Sequence, residues 1–202
     1  MAMPASFSCP PRETEYNDSK NSGLQPEHIA STPFLFYPMT TEVFPMNIRP
    51  IQKQDNPFIA AIIRQSLESA NLAIEGTAYT DPHLDQLFDY YQSLTHAAYW
   101  IAEEHGEIVG GVGIAPFTDG ICELQKLYLS PKAQGKGAGK KLMDTALQYA
   151  ATYYDACYLE TRSELTAATG LYQRYDFSLL PAPIEGSEHS AMDAWYLKTF
   201  SA

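Results

Sequence analysis

Gln134-Gly135-Lys136-Gly137-Ala138-Gly139-Lys140 is the stretch of this sequence whose residue types and spacing bear most directly on chemistry. It follows an apolar run, Cys122 to Leu129, and precedes a helical stripe of Gly139, Leu142, Met143, Ala146, Leu147 and Ala150. At a strand-to-helix junction the first helical N–H groups lack intrahelical partners and the helix dipole is positive, so phosphate binds there. Glycine keeps side chains away from those amides and accepts positive φ. A lone glycine pair before a helix reads as a flexible turn, but three glycines alternating with lysine favour a phosphate cradle. Five of the eight lysines, Lys126, Lys132, Lys136, Lys140 and Lys141, fall in sixteen residues without an acid, against a whole-chain charge of -11.

Spacing decides which phosphate ligand is meant. A Walker loop, GxxxxGK[ST], aligned on Gly139-Lys140 puts Gln134 where the first glycine belongs and Lys141 where the Mg²⁺-binding hydroxyl belongs, so two essential positions fail. A dinucleotide fold needs GxGxxG, whereas this is GxGxG, although Glu160 lies about where that motif wants an acid. The Rossmann reading is therefore the runner-up, opposed by the single βαβ unit visible in the pattern.

The elements that must position the loop start near Met46. Residues 1 to 45 carry seven prolines and no sustained period, which reads as a disordered or loosely docked tail; residues 46 to 202 form the domain. Asn47 to Ile51 reads as a strand. Asp55-Asn56-Pro57 caps a first helix with Phe58, Ile59, Ile62, Ile63 and Leu67 on one face, and Asp81-Pro82 opens a second with Leu84, Leu87, Phe88, Tyr91 and Leu94. Tyr99 to Glu103, Ile108 to Pro116 and Cys122 to Leu129 make an antiparallel meander. After the loop helix, Ala156 to Thr161 is a buried strand parallel to Cys122 to Leu129. Leu165, Ala168, Tyr172 and Tyr175 mark a fourth helix, and Met192 to Phe200 a last strand. The fold class is α/β: a mixed sheet, antiparallel at the front with one parallel pair at the glycine loop, flanked by helices.

Composition narrows the function. The chain has 202 residues, 45% of them apolar, enough for one core, and no apolar run approaches a membrane span. Excess negative charge argues against nucleic acid and anionic membranes as partners. Cys9, Cys122 and Cys157 fit neither a disulfide framework nor a zinc site, so no metal is expected, and with no secretory signal the reading is a reduced, cytoplasmic protein.

Leu124-Gln125-Lys126-Leu127-Tyr128-Leu129-Ser130-Pro131 followed by Gln134-Gly135-Lys136-Gly137-Ala138-Gly139 resembles the acetyl-CoA signature of the GNAT superfamily of N-acyltransferases, (R/Q)-x-x-G-x-(G/A). Ala168, Leu171-Tyr172 and Phe177 resemble its second signature, and the similarity spans about Asn47 to Phe200. The resemblance implies acetyl-CoA as cosubstrate, with backbone groups of Leu127 and Leu129 along the pantetheine arm. Amides of Gln134, Gly135, Lys136, Gly137, Ala138, Gly139 and Lys140 would then hold the diphosphate, and Tyr172 would stand at the thioester sulfur. Two departures stand out: Leu165 where the family often has Asn, which removes one polar contact to the arm, and Asp176 where it usually has Gly, which suggests a different turn.

An amine attacking a thioester must be neutral, so a base should collect its proton, and the departing thiolate benefits from a donor. Glu123, on the strand entering the gap, is the first candidate base and Glu160 the second; as purely structural groups they would pair with Arg162 or Lys126. Backbone N–H groups near Leu127 would polarise the thioester carbonyl. The expected activity is N-acetyl transfer to a primary amine of a small molecule or protein in a ternary complex; a non-catalytic acyl-CoA-binding or regulatory module is the competing reading. Excess acid outside the loop favours a cationic acceptor such as a polyamine, amino sugar or lysine side chain, and a homodimer is compatible with the sequence. His189, Trp100, Trp195 and the tyrosines at 153, 154 and 158 read as surface or core residues.

Overall fold

The computed structural model describes residues 46–187 and 190–200. The tail, with Cys9, and His189 lie outside them. Seven strands form one sheet in the order β1-β2-β3-β4-β5-β7-β6. They are β1 (Asn47–Pro50), β2 (Ala98–Glu104), β3 (Glu107–Thr118), β4 (Ile121–Leu129), β5 (Ala156–Thr161), β6 (Ser178–Leu180) and β7 (Ala194–Thr199). Only β4 and β5 run parallel, and the helix between them is the one the glycine loop opens.

Strand alternation sorts the core into two layers. Trp100 and Ala102 face one layer with Leu142, Met143 and Ala146 of α3 (Ala138–Tyr153) and Tyr172 of α4 (Thr166–Arg174). Tyr99 and Ile101 face the other, with Ile59 and Ile63 of α1 (Asn56–Ser69) and Leu87 and Tyr91 of α2 (Leu87–Ser93). The β2–β3 hairpin turns on His105 and Gly106, both left-handed at φ 54° and 77°, the pair of values a two-residue turn needs to match strand twist.

Several local expectations are corrected. Phe58 sits on the helix at the expected place but is 60% exposed, so the buried stripe of α1 is Ile59, Ala60, Ile63 and Leu67. Asp55 does not cap α1. Its carboxylate accepts from Arg49 Nη1 at 2.6 Å and the Gln52 N–H at 2.7 Å. Burial pushes the Asp55 carboxyl up, and these contacts outweigh it and hold it below the usual range. The second helix is shorter than expected: a 3-10 turn, Leu84–Gln86, precedes α2, and Asp81 Oδ1 accepts the His83 N–H at 2.7 Å while Oδ2 pairs with Lys126. β6 is a short exposed edge strand with no apolar alternation to announce it.

Asp176 gives the clearest correction. It has φ 60°, the left-handed conformation that glycine adopts most readily, so the turn after α4 keeps that shape with Asp in it. The Asp176 N–H donates to the Gln173 carbonyl at 3.1 Å and the Phe177 N–H to the Tyr172 carbonyl at 3.2 Å.

Candidate active site

Gly135 and Gly137 occupy left-handed backbone at φ 74° and 85°, and Gly137 is the residue from which α3 starts. A Cβ at either would meet nothing within 4 Å, so φ and open access, not crowding, call for glycine. The Gly137 carbonyl accepts the Lys141 N–H at 3.1 Å. The amides of Ala138, Gly139 and Lys140 therefore precede the helical ladder and point out of its N-terminus.

The lysines contribute less than their number suggests. Lys132 pairs with Glu107 at 3.5 Å, Lys136 with Glu104 at 3.0 Å and Lys140 with Asp144 at 2.7 Å, while Lys141 Nζ donates to the Met46 carbonyl at 3.0 Å. Lys126 is not at the loop: its side chain, 5% exposed, pairs with Asp81 at 2.6 Å. What the loop itself offers an anion is thus mainly its backbone amides and the helix dipole.

β4 and β5 pair only from Ile121 to Glu123 against Ala156 to Tyr158. Beyond that point β4 bulges. On β3, Gly111 faces Tyr128 and Gly113 faces Gln125, so β4 carries one residue more than its partner, and Lys126 takes φ 51° to accommodate it. The strands separate there, and a cavity of about 500 Å³ opens. Leu124, Leu127 and Leu129 line it from β4, Thr161 from β5, and Leu165, Ala168 and Tyr172 from the α4 segment. Leu165, the departure from the family's Asn, presents an apolar side chain to it. Gln134 joins the cavity to the glycine loop.

Tyr172 is buried between Phe177 and Tyr196, with both ring centroids 6.0 Å away. Burial, reinforced by Tyr196, pushes its phenol well above the ordinary range, so it stays protonated. Among the described residues no hydrogen bond engages its hydroxyl. Tyr128, unremarked in the sequence reading beyond its place in the motif, lines the same cavity, and burial raises its phenol likewise.

Glu123 is buried at the last paired position of β4 and shares a smaller cavity of about 60 Å³ with Glu160, Gln125, Lys126 and Tyr128. Gln125 Nε2 donates to Glu123 Oε2 at 2.5 Å, and Gln125 Oε1 accepts from the Tyr91 hydroxyl at 3.0 Å. Gly113 makes room for this chain, since a Cβ there would lie 2.1 Å from the Tyr91 hydroxyl. Glu160 Oε1 accepts from the Tyr158 hydroxyl at 2.9 Å. Nearby, Lys126 pairs with Asp81, and Arg162 with Glu164 and Asp193. Tyr91 and Gln125 were not singled out as site residues, because their contact spans 34 positions.

Cys122 and Cys157 face each other across the parallel pair and are fully buried. Burial, then Cys122, pushes the Cys157 thiol well up, so it is inert filler. Among the described residues no group of three or more His, Cys, Asp and Glu side chains is arranged to hold a metal ion, and no helix is long and apolar enough to cross a membrane.

Residues 66–177 match the model of the acetyltransferase (GNAT) family. The chain is 45% identical over 135 residues to the uncharacterized N-acetyltransferase YjgM of Escherichia coli, covering 64% of this chain and 80% of that protein. It is 36% identical over 90 residues to the probable N-acetyltransferase camello of Xenopus tropicalis, covering 43% of this chain and 41% of that longer protein. Among solved structures, a GNAT-family acetyltransferase from Staphylococcus aureus superposes with TM-score 0.67 at 19% identity, over 77% of this chain and 99% of that one. PaiA N-acetyltransferase of Thermoplasma acidophilum, in complex with coenzyme A, gives TM-score 0.62 at 19% identity over 77% and 99%. The acetyltransferase yncA of Salmonella typhimurium, described with acetyl-CoA as its cofactor, gives 0.62 at 21% over 78% and 95%. An open glycine loop at the head of α3, a parallel pair split by a bulge and a match across most of the sheet converge on one assignment: the chain belongs to the acetyltransferase (GNAT) family of acyl-CoA-dependent enzymes.

Proposed function

We propose that the chain transfers an acetyl group from acetyl-CoA to a primary amine of a small molecule or protein, directly and within a ternary complex. One observation carries this reading: a single cavity runs from the glycine loop, through the split between β4 and β5, to the Tyr172 phenol, and a second cavity lined by Glu123 and Glu160 adjoins it along Leu124, Lys126 and Tyr128. The fit to acetyl-CoA is supported by the open space before Gly135 and Gly137, by the cavity of about 500 Å³ between β4 and β5, and by solved structures of the same fold described with CoA or acetyl-CoA. Amides of Gln134 to Lys140 would hold the diphosphate, and backbone groups of Leu127 and Leu129 the pantetheine arm. Bound there, acetyl-CoA supplies the activated thioester.

The remaining work falls to the chain's own groups. Glu123, aligned by Gln125, accepts the proton of the acceptor ammonium directly or through water, with Glu160 as the second carboxylate at that end. The Leu127 N–H faces the carbonyl oxygen as charge develops on it. Tyr172 donates its proton to the sulfur. Direct transfer is supported by the burial of Cys122 and Cys157, the cysteines among the described residues.

A non-catalytic acyl-CoA-binding module would need neither a buried carboxylate nor a phenol on the gap, and burying both costs stability. The discriminating experiment follows CoA release from acetyl-CoA with a thiol dye across a panel of primary amines. Acceptor-dependent release is expected; tight acetyl-CoA binding with no amine-stimulated release would favour the module.

A further inference from the structure

Lys126 is a lysine in the left-handed region, at φ 51°, inside a strand. Such a conformation disfavours any residue with a Cβ and persists only where its surroundings fix it. Two contacts hold it: the buried ammonium pairs with Asp81 at 2.6 Å, and on the backbone the Tyr99 hydroxyl donates to the Lys126 carbonyl at 3.1 Å. Tyr99 belongs to β2, two strands away, and reaches β4 because β3 has glycine in the path. A Cβ on Gly111 would lie 2.5 Å from Tyr99 Cε1 and 2.8 Å from its hydroxyl. Tyr99 is 1% exposed, and burial pushes its phenol far above the ordinary range, so the hydroxyl remains a donor at working pH.

A trans peptide is planar, with its C=O and N–H pointing in opposite directions. Tyr99 draws the Lys126 carbonyl back toward β2 and β3. The N–H of the same peptide, that of Leu127, is thereby turned toward the side where β5 has parted from β4, which is the cavity Leu127 lines. We propose that Tyr99 is a positioning residue for acyl transfer: through Gly111 it locks the bulge peptide so that the Leu127 amide is aimed at the thioester oxygen. The proposal rests on the transferase reading above for its consequence, but not for the orientation of the amide.

The test is Tyr99→Phe in the full chain, with kcat measured on an amine found to be acetylated and acetyl-CoA affinity measured by calorimetry. A positioning role predicts a loss in kcat of about tenfold or more with affinity within about threefold, since the contact matters chiefly as charge develops. Incorporating 3-fluorotyrosine at Tyr99, which keeps ring and donor, should restore most of that rate. A lowered Tm with kcat within about twofold of wild type would reduce Tyr99 to a packing residue and overturn the proposal. Independently of folding of the variant, and of any turnover, the Leu127 amide proton of the wild-type chain should move downfield in ¹⁵N–¹H spectra when S-acetonyl-CoA, an unreactive ketone, is added. An unmoved Leu127 amide on a saturated protein would overturn it as well, whereas absent turnover with a shifted amide would count against the transferase reading alone.

Discussion

Tyr172 presents a neutral phenol to the gap, and its proposed role separates from packing in one substitution. Tyr172→Phe keeps the ring among Phe177 and Tyr196 and removes only the hydroxyl. We expect kcat to fall by about 10², with acetyl-CoA affinity little changed, because a donor to sulfur matters as the thiolate forms. Burial raises the phenol, so the proton is retained throughout the ordinary tyrosine range. The wild-type rate should show no alkaline loss near pH 10 that Tyr172→Phe removes, and such a loss would contradict the raised phenol; a Tyr172→Phe rate within about threefold of wild type would contradict the donor role. Glu123 and Tyr172 were legible in the sequence because each lies inside a local pattern, a strand and a helical stripe. Tyr91, Gln125 and Gly113 were not, since their meaning arises only when residues from α2, β3 and β4 converge on one carboxylate. The same limit explains Asp81. Asp-Pro is a sound local signal for a turn, and Asp81 does accept the His83 N–H, but its ion pair with a lysine 45 positions later leaves no local trace.

At the scale of elements, the turn after α4 aims Tyr172 and delivers Phe177 to the core, and it does so with an aspartate in left-handed backbone. Asp176 is 91% exposed and its ion pair with Lys198 is long, at 3.7 Å, so little is lost by removing the carboxylate. Asp176→Gly should therefore stabilise the protein by roughly 0.5–1 kcal/mol, as glycine adopts that φ without steric cost. Thermal unfolding should show Tm higher by about 1–4 °C; an unchanged or lower Tm would mean the turn draws on the aspartate side chain in some other way. Sequence patterning located α1, α3, α4 and the β2–β3–β4 meander, because each is amphipathic or bounded by turn residues. It missed β6, whose three residues are largely exposed, and the bulge in β4, where apolar alternation continues past an inserted residue whose only mark is its backbone conformation. At Asp176 the sequence suggests a changed turn because it shows the side chain and not the φ of 60° that the residue adopts.

For the whole molecule, the consequence is a division of labour across one sheet. The antiparallel strands β1 to β4 carry the helices that wall one face, and the parting of β4 from β5 leaves an opening that runs from Gln134, beside the glycine loop, to a pocket lined by the buried Glu123 and the half-buried Glu160. Lysines around the loop are largely paired with acids of the β2–β3 hairpin and α3, so the charge concentration seen in the sequence does not persist as a free positive patch. We expect the domain to comprise residues 46 to 202. On the proposed mechanism cosubstrate and amine meet in this opening without an intervening acyl-enzyme, and steady-state kinetics tests this directly. With an acceptor identified, initial rates should be measured while acetyl-CoA and amine are varied together. Double-reciprocal lines that intersect are the predicted result, because both substrates must be bound before the acyl group moves. Parallel lines, accompanied by acetyl label retained on the protein when the amine is withheld, would show a covalent relay and contradict the account.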